Sequence, residues 1–185
     1  MNTLFLEEEI KYIGSQLSPH WIYRNYHLMG DSIVSFVGEV DVDLSEMVDI
    51  EDVINNEPIY SKKMLNFIIE QFNCPLEQMV WTQRLFMSII KECLERRGAK
   101  ITRYGDDLFF EDRKLSVSIA TKSITSCLIH TGLNIIKEGA PISVSDLTEI
   151  GVDDIKGFAK EVMEKFKEEN FSIKLATCKV RGVIE

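Results

Sequence analysis

The sequence predicts an α+β fold in which helices pack on a central antiparallel or mixed sheet. Three observations carry that prediction. Between Ile101 and Ile136 apolar and polar residues alternate with a period of two, as half-buried strands do. On either side of this block apolar residues recur at helical spacing, from Leu76 to about Arg97 and from Asp153 to about Glu169. The composition, 45% hydrophobic and 28% charged over 185 residues, suits a chain that buries a continuous core. With 10 glycines, 4 prolines and no repeat or low-complexity stretch, nothing reads as a linker, so one domain over residues 1–185 is expected.

In chain order, Ser18-Pro19 reads as an N-cap with Pro at the first helical position, opening a short helix through Tyr23 that Gly30 closes. Ser32 to Val40 is β-branched and aromatic enough for a strand. The acidic stretch Asp41 to Glu57 reads as a long surface loop with some turn or helix, which either covers a site or keeps the protein soluble. Ser61 is placed to cap a helix along Met64, Leu65, Ile68, Ile69 and Phe72, ending before Pro75. A longer helix follows from Leu76, its apolar face including Phe86, Met87, Ile90, Cys93 and Leu94, with Gly98 as its C-terminal cap. Arg84 falls within that apolar region and must find a carboxylate or another acceptor. Ile101–Tyr104, Asp107–Phe110, Lys114–Ala120 and Leu128–Ile136 are the strand candidates. Asp153 then caps a helix burying Ile155, Phe158, Val162 and Phe166, and Ser172–Ile184 returns to extended structure.

Charge and composition exclude several classes. The net charge of −9 repels phosphate backbones, so no general nucleic-acid binding is expected. No apolar stretch approaches the roughly 18 residues of a spanning helix, and Glu7, Glu8 and Glu9 interrupt the region where a signal peptide needs an apolar run. A cytoplasmic protein with no membrane partner is expected. Cys74, Cys93, Cys127 and Cys178 lie far apart with no C-x-x-C pair, the pattern of reduced thiols. His20, His27 and His130 lack the spacing of a histidine metal centre.

One constellation suggests chemistry. In a strand Lys114-Leu-Ser-Val-Ser-Ile-Ala120, the side chains of Leu115, Val117 and Ile119 share one face, and those of Lys114, Ser116, Ser118 and Ala120 the other. The first face belongs to a core; the second, with a cation and small hydroxylated residues, is a floor on which a small ligand can lie. A half-exposed strand with a solvated lysine has the same pattern. Leu128–Ile136 divides similarly, placing His130, Gly132 and Asn134 on one face. From Arg96 to Lys122, seven basic residues stand against four acidic ones, a local excess able to meet phosphate or carboxylate. Arg96 and Arg97 equally suit a helix C-terminus.

Arg103-Tyr-Gly-Asp-Asp-Leu-Phe-Phe-Glu-Asp-Arg-Lys-Leu-Ser116 resembles the biotin protein ligase signature K-W-P-N-D-L-Y followed by R-K-L-A-G. Gly132-Leu-Asn-Ile135 resembles the later G-I-N motif, and His130-Thr-Gly-Leu-Asn134 is similar to H-G-x-x-L-N of lipoate ligases and octanoyltransferases. The likeness spans about Ala99 to Ile136 and continues weakly through Val144-Ser-Asp-Leu147. It implies a biotin/lipoate protein ligase-like fold, the shape shared with class II aminoacyl-tRNA synthetase cores. It also implies that Lys114 is the catalytic residue, against the carboxylate of a small acid or its adenylate. Asp106 and Asp107 would stand by the nucleotide phosphates and hold a metal; ATP and Mg²⁺ enter by this resemblance alone. Over the whole chain the sequence resembles the family catalogued as domain of unknown function 366, in which the segments around Gly30-Asp31-Ser32, Gly105-Asp-Asp107 and Arg113-Lys-Leu-Ser116 recur.

The departures are specific. Where the ligases carry a glycine- and arginine-rich loop, the nearest segment here is Gly30-Asp31-Ser32, with an acid in place of the arginines. The glycine of R-K-L-A-G is Val117, and the P-C-G cysteine of octanoyltransferases is absent from Gly139-Ala140-Pro141. Two functions follow. One is an acid-activating ligase or acyltransferase with ligand contacts at Gly30, Asp31, Ser32, Arg103, Asp106, Ser116, Ser118, His130, Gly132 and Asn134. The other is a small-metabolite-binding module that kept the fold and lost adenylation. A homo-oligomer is compatible with either, because an exposed sheet edge needs covering.

Overall fold

A computed structural model describes residues 1–138 and 143–183. Gly139-Ala140-Pro141, compared above with P-C-G, lies outside the described residues. A five-stranded mixed sheet forms the centre, built from β1 (Asn2–Phe5), β2 (Ser32–Val42), β3 (Ile59–Phe72), β7 (Ser116–Lys122) and β8 (Ser126–Asn134). Its order is β1-β2-β3-β8-β7; β1 runs parallel to β2 and every other neighbouring pair is antiparallel. β4 (Ile101–Tyr104), β5 (Asp107–Phe110) and β6 (Arg113–Lys114) form a separate three-stranded sheet.

One face of the central sheet is covered by α3 (Leu76–Glu95) and α4 (Ile155–Cys178). Leu65, Phe67 and Ile69 of β3 meet Phe86, Met87 and Ile90 of α3 and Phe158, Val162 and Phe166 of α4 there, all fully buried. Edge-to-face rings join the layers: Phe67 to Phe86 at 5.3 Å and Phe86 to Phe166 at 4.9 Å between centroids. The other face carries a second core, in which Val34, Phe36, Met64 and Ile68 of the sheet meet Leu6, Tyr12 and Leu17 of the N-terminal segment and Ile22 of α1 (Trp21–Tyr26).

The α+β prediction holds, and so do β2, α3, the strands Ile101–Tyr104 and Asp107–Phe110, the strand through Leu128 and the inward face of α4. Five local expectations are corrected. Ser61–Phe72 is the long inner strand β3, not a helix. Both faces of β3 are buried, so consecutive residues serve different cores: Met64 and Ile68 one, Leu65 and Ile69 the other. Two-faced burial therefore reproduces the apolar run of a buried helix.

Ser18 does not cap α1, which instead follows His20 in the left-handed region at φ 62. Asp154, one residue later than expected, caps α4 by accepting the Gly157 N–H at 2.8 Å. α4 runs to Cys178, so Ser172 onward is not extended; Ile184 lies outside the described residues. No glycine or proline interrupts Phe171–Cys178, and its residues are exposed, so local helix formation prevails there. The acidic stretch contributes the end of β2, a 3₁₀ turn at Leu44–Glu46 and α2 (Ile50–Asn55), capped by Asp49.

The fifth correction concerns the ligand floor. Lys114 ends β6 and Ser116 begins β7, so the chain changes sheets at Leu115. Leu115 joins the α3–α4 core, and Ser116 pairs with Leu133 of that same core. Strand alternation is thus interrupted by one residue. Ser118 consequently faces α3, while Val117 and Ile119 pack toward the second core.

Candidate ligand-binding cleft

On the second-core face the sheet is incompletely covered, leaving a cleft of about 650 Å³ between the β7–β8 edge and the segment Glu46–Tyr60. Its inner part is lined by Tyr12, Leu17, Met64, Val117, Ile119 and His130, its mouth by Asp49, Asp52, Asp106, Asp107 and Lys114. Tyr12 reaches this position because the N-terminal segment crosses β2 at Gly38. The Ile10 N–H donates to Val37 O at 3.0 Å, and Tyr12 exchanges backbone bonds with Glu39 and Asp41. A Cβ on Gly38 would lie 1.9 Å from Ile10 O, so the close approach requires glycine.

The Tyr12 ring stacks on His130 with centroids 3.7 Å apart and planes 9° apart. His130 Nε2 lies 3.0 Å from Asn66 Oδ1, which assigns the imidazole proton to Nε2. Burial drives the His130 pKa down to about 3, so the ring is neutral near pH 7 and is not a proton donor of ordinary strength. Gly132 fits beneath Met64 and Val117, where a Cβ would stand 2.8 Å from Met64 Cε. Asn134 is committed within the fold: it accepts from Ser61 Oγ at 3.3 Å and donates to Ser145 O at 3.2 Å. Ser145 returns to Lys114 O and Arg113 O through its N–H and hydroxyl, each at 3.0 Å, fixing the backbone that presents Lys114.

At the mouth, Lys114 Nζ lies 3.0 Å from Asp107 Oδ1. Asp106 accepts from Arg84, the carboxylate that a guanidinium on α3 needed, and from Gln83 Nε2 at 2.9 Å. Gln83 also donates to Ser118, and Ser118 meets Thr131, so a polar line runs from the mouth to α3. Gly105 shapes this turn at φ +61, and a Cβ there would stand 2.6 Å from Arg84 Nη1. Burial raises the Asp106 pKa; Arg84 opposes that shift and Asp107 adds to it. Burial also raises the Asp52 pKa, joined by repulsion from Asp49 and Glu57.

Among the residues expected at the site, Lys114, Asp106, Asp107, Ser116, Ser118, His130 and Asn134 line the cleft. Ser116 does so with its hydroxyl already accepting the Leu108 N–H at 2.9 Å. Arg103 bonds Gly105 O outside the lining. Gly30, Asp31 and Ser32 are elsewhere: Ser32 pairs with Glu70, six residues from Met64 along β3, about 20 Å at the usual strand rise. There Asp31 accepts the Phe72 N–H and Ser32 bonds Gly30 O, closing the ends of β2 and β3. Tyr12, Asp49 and Asp52 were not expected; only the acidic stretch had pointed toward a cover.

The donors present do not fit a nucleotide-bound Mg²⁺. Asp106 and Asp107 each already answer a cationic side chain, and the cleft holds Glu46, Asp49, Asp52 and Glu57 besides, against Lys114 as its one lysine or arginine among the described residues. No group of three or more metal-capable side chains occurs among the described residues.

The fold has the shape shared by biotin and lipoate protein ligases. Superposition gives a TM-score of 0.58 with a biotin protein ligase from Aquifex aeolicus in complex with biotin and ATP, at 16% identity over 90% of this chain and 69% of that one. A bipartite lipoate protein ligase from Thermoplasma acidophilum gives 0.58, at 12% identity over 90% and 84%. At those identities the likeness is one of fold. The chain itself belongs to the family described as Domain of unknown function (DUF366), whose model matches residues 1–181. A Pyrococcus horikoshii protein of unknown function has 36% identity and a TM-score of 0.94 over 99% of both chains. An uncharacterised Methanocaldococcus jannaschii protein is 34% identical over 91% of this chain and 79% of its own length.

Proposed function

We propose that this protein binds a small molecule with an apolar body in the cleft over β7 and β8 and does not adenylate it. The observation that carries this reading is the charge of the cleft: six carboxylates and one lysine surround an apolar interior, so a polyphosphate meets like charge at close range. The placement of Gly30-Asp31-Ser32 about 20 Å along β3 supports it, because the segment nearest in sequence to a phosphate-wrapping loop is remote from the cleft. Lys114, clamped to Asp107, serves as a positioning residue at the mouth.

A second reading, an acid-activating ligase or acyltransferase, is favoured by the presence of Lys114, Asp106 and Asp107 together at that mouth. It requires Asp106 and Asp107 to leave Arg84 and Lys114 for a metal and nucleotide. Exchange of labelled pyrophosphate into ATP with a panel of carboxylic acids separates the two: the binding reading expects no exchange with any acid. Native mass spectrometry and thermal shift of the purified protein, with Lys114→Ala in parallel, test binding itself. Retained mass or a stabilising shift that Lys114→Ala alters is expected; neither in any condition would refute the cleft as a ligand site.

A homo-oligomer belongs to the same proposal. The last turns of α4 expose Phe171, Ile173 and Leu175, apolar surface that a second copy could cover. Light scattering on the eluting protein distinguishes a dimer from a monomer.

A further inference from the structure

The two ends of the cleft make different chemical demands. At the inner end Tyr12 is only 3% exposed, and its hydroxyl has no hydrogen-bond partner among the described residues. Among those residues no fully buried polar side-chain atom lacks a partner, so this hydroxyl opens into the cleft that Tyr12 lines. Burial strengthens its hold on the proton, which makes it a standing donor. At the mouth Asp106 and Asp107 are matched by Arg84 and Lys114, but Asp49 and Asp52, both half-buried, form no ion pair among the described residues. Asp49 spends one oxygen on the N-terminus of α2. Lys114 lies near enough to Asp52 to oppose its raised pKa, without offsetting the repulsion from Asp49 and Glu57.

Resting on the reading of the cleft as a binding site, we infer that its ligand is an organic cation. Its ammonium or equivalent centre is held at the mouth by Asp49 and Asp52. Its apolar body lies over Val117 and Ile119, and an acceptor at its far end takes the Tyr12 proton. A cation relieves the mutual repulsion of the mouth carboxylates, whereas a carboxylate or phosphate in the same place adds to it. The acceptor satisfies the Tyr12 hydroxyl, which no described residue engages.

Matched probes separate head charge from far-end acceptor. Tyramine and 3-(4-hydroxyphenyl)propionate share a phenol and differ in head charge; 2-phenylethylamine keeps the ammonium and lacks the phenol oxygen. The pair 8-aminooctan-1-ol and 8-hydroxyoctanoate repeats the comparison at greater length. Calorimetric titration should find the amine of at least one pair about tenfold or more tighter than its acid, as like-charge contact in a desolvated mouth implies. Asp52→Asn should remove most of that preference, and Tyr12→Phe, which keeps the stack on His130, should remove the advantage of tyramine over 2-phenylethylamine. Acids binding as tightly as amines, or a preference untouched by Asp52→Asn, would overturn the cation while leaving the cleft as a binding site. Binding of neither member of either pair also overturns it, and the binding reading then stands or falls on native mass spectrometry.

Discussion

The two faces of the central sheet are made from the same strands but end in different states. On the α3–α4 face the aromatic ladder Phe67–Phe86–Phe166 closes the space between layers. On the opposite face a short α1, a crossing N-terminal segment and the acidic Glu46–Tyr60 stretch leave about 650 Å³ open. Long amphipathic helices present a continuous apolar stripe that can follow a sheet. Loops and single-turn elements cannot, and their polar backbone needs water or side-chain partners. The closed face therefore carries the packing, and the open face leaves the room that the proposed ligand would occupy.

The largest test of that division is on the closed side. Phe86→Ala should cost about 3–5 kcal/mol, read by denaturant melts, because Phe86 bridges both neighbouring rings. If Phe86→Ala cost less than the cleft-side substitutions, the assignment of stability to this face would be wrong.

Acid should strike the open side first. The His130 pKa is depressed to about 3, below its ordinary value of 6.5, so the neutral ring's contribution is fully present above pH 6.5. It is lost progressively as the pH falls from there toward 3. His130→Asn should flatten the stability profile over that window. Asp106 works with the opposite sign, since its pKa is raised and its burial disfavours the charged form as the pH rises. An unchanged acid branch in His130→Asn would remove the stacked imidazole from the account.

Gly105→Ala should cost about 1–3 kcal/mol, combining a left-handed backbone with displacement of Arg84 from the turn. Its thermal midpoint should fall further than that of Arg84→Met, which removes the guanidinium without straining the backbone. The smallest stability effect is expected at Lys114→Ala, about 1 kcal/mol or less, because the pair with Asp107 is about one-third exposed on both sides. A near-normal melt together with altered ligand binding would sharpen the distinction between the two faces.

The helical stripe of α3, the period-two block from Ile101 and the Arg84 requirement for a carboxylate were legible because local spacing determines them. His130 and Asn134 were legible together because strand alternation puts alternate side chains of β8 on one face, and Lys114 through the resemblance to R-K-L-A-G. By itself, then, the sequence determined the α+β class, the helices that close one face and most residues of the β7–β8 edge.

The tertiary structure alone decided four things: that β3 is an inner strand, that Leu115 inverts the faces of β7, that Gly30-Asp31-Ser32 is remote from Lys114, and that Tyr12 enters the cleft. The physical reason is common to them. Burial on both faces erases the periodicity that distinguishes strand from helix, and a change of sheet resets alternation without marking the sequence. Contacts such as Tyr12 on His130 join residues more than a hundred positions apart, where only the path of the backbone sets the distance.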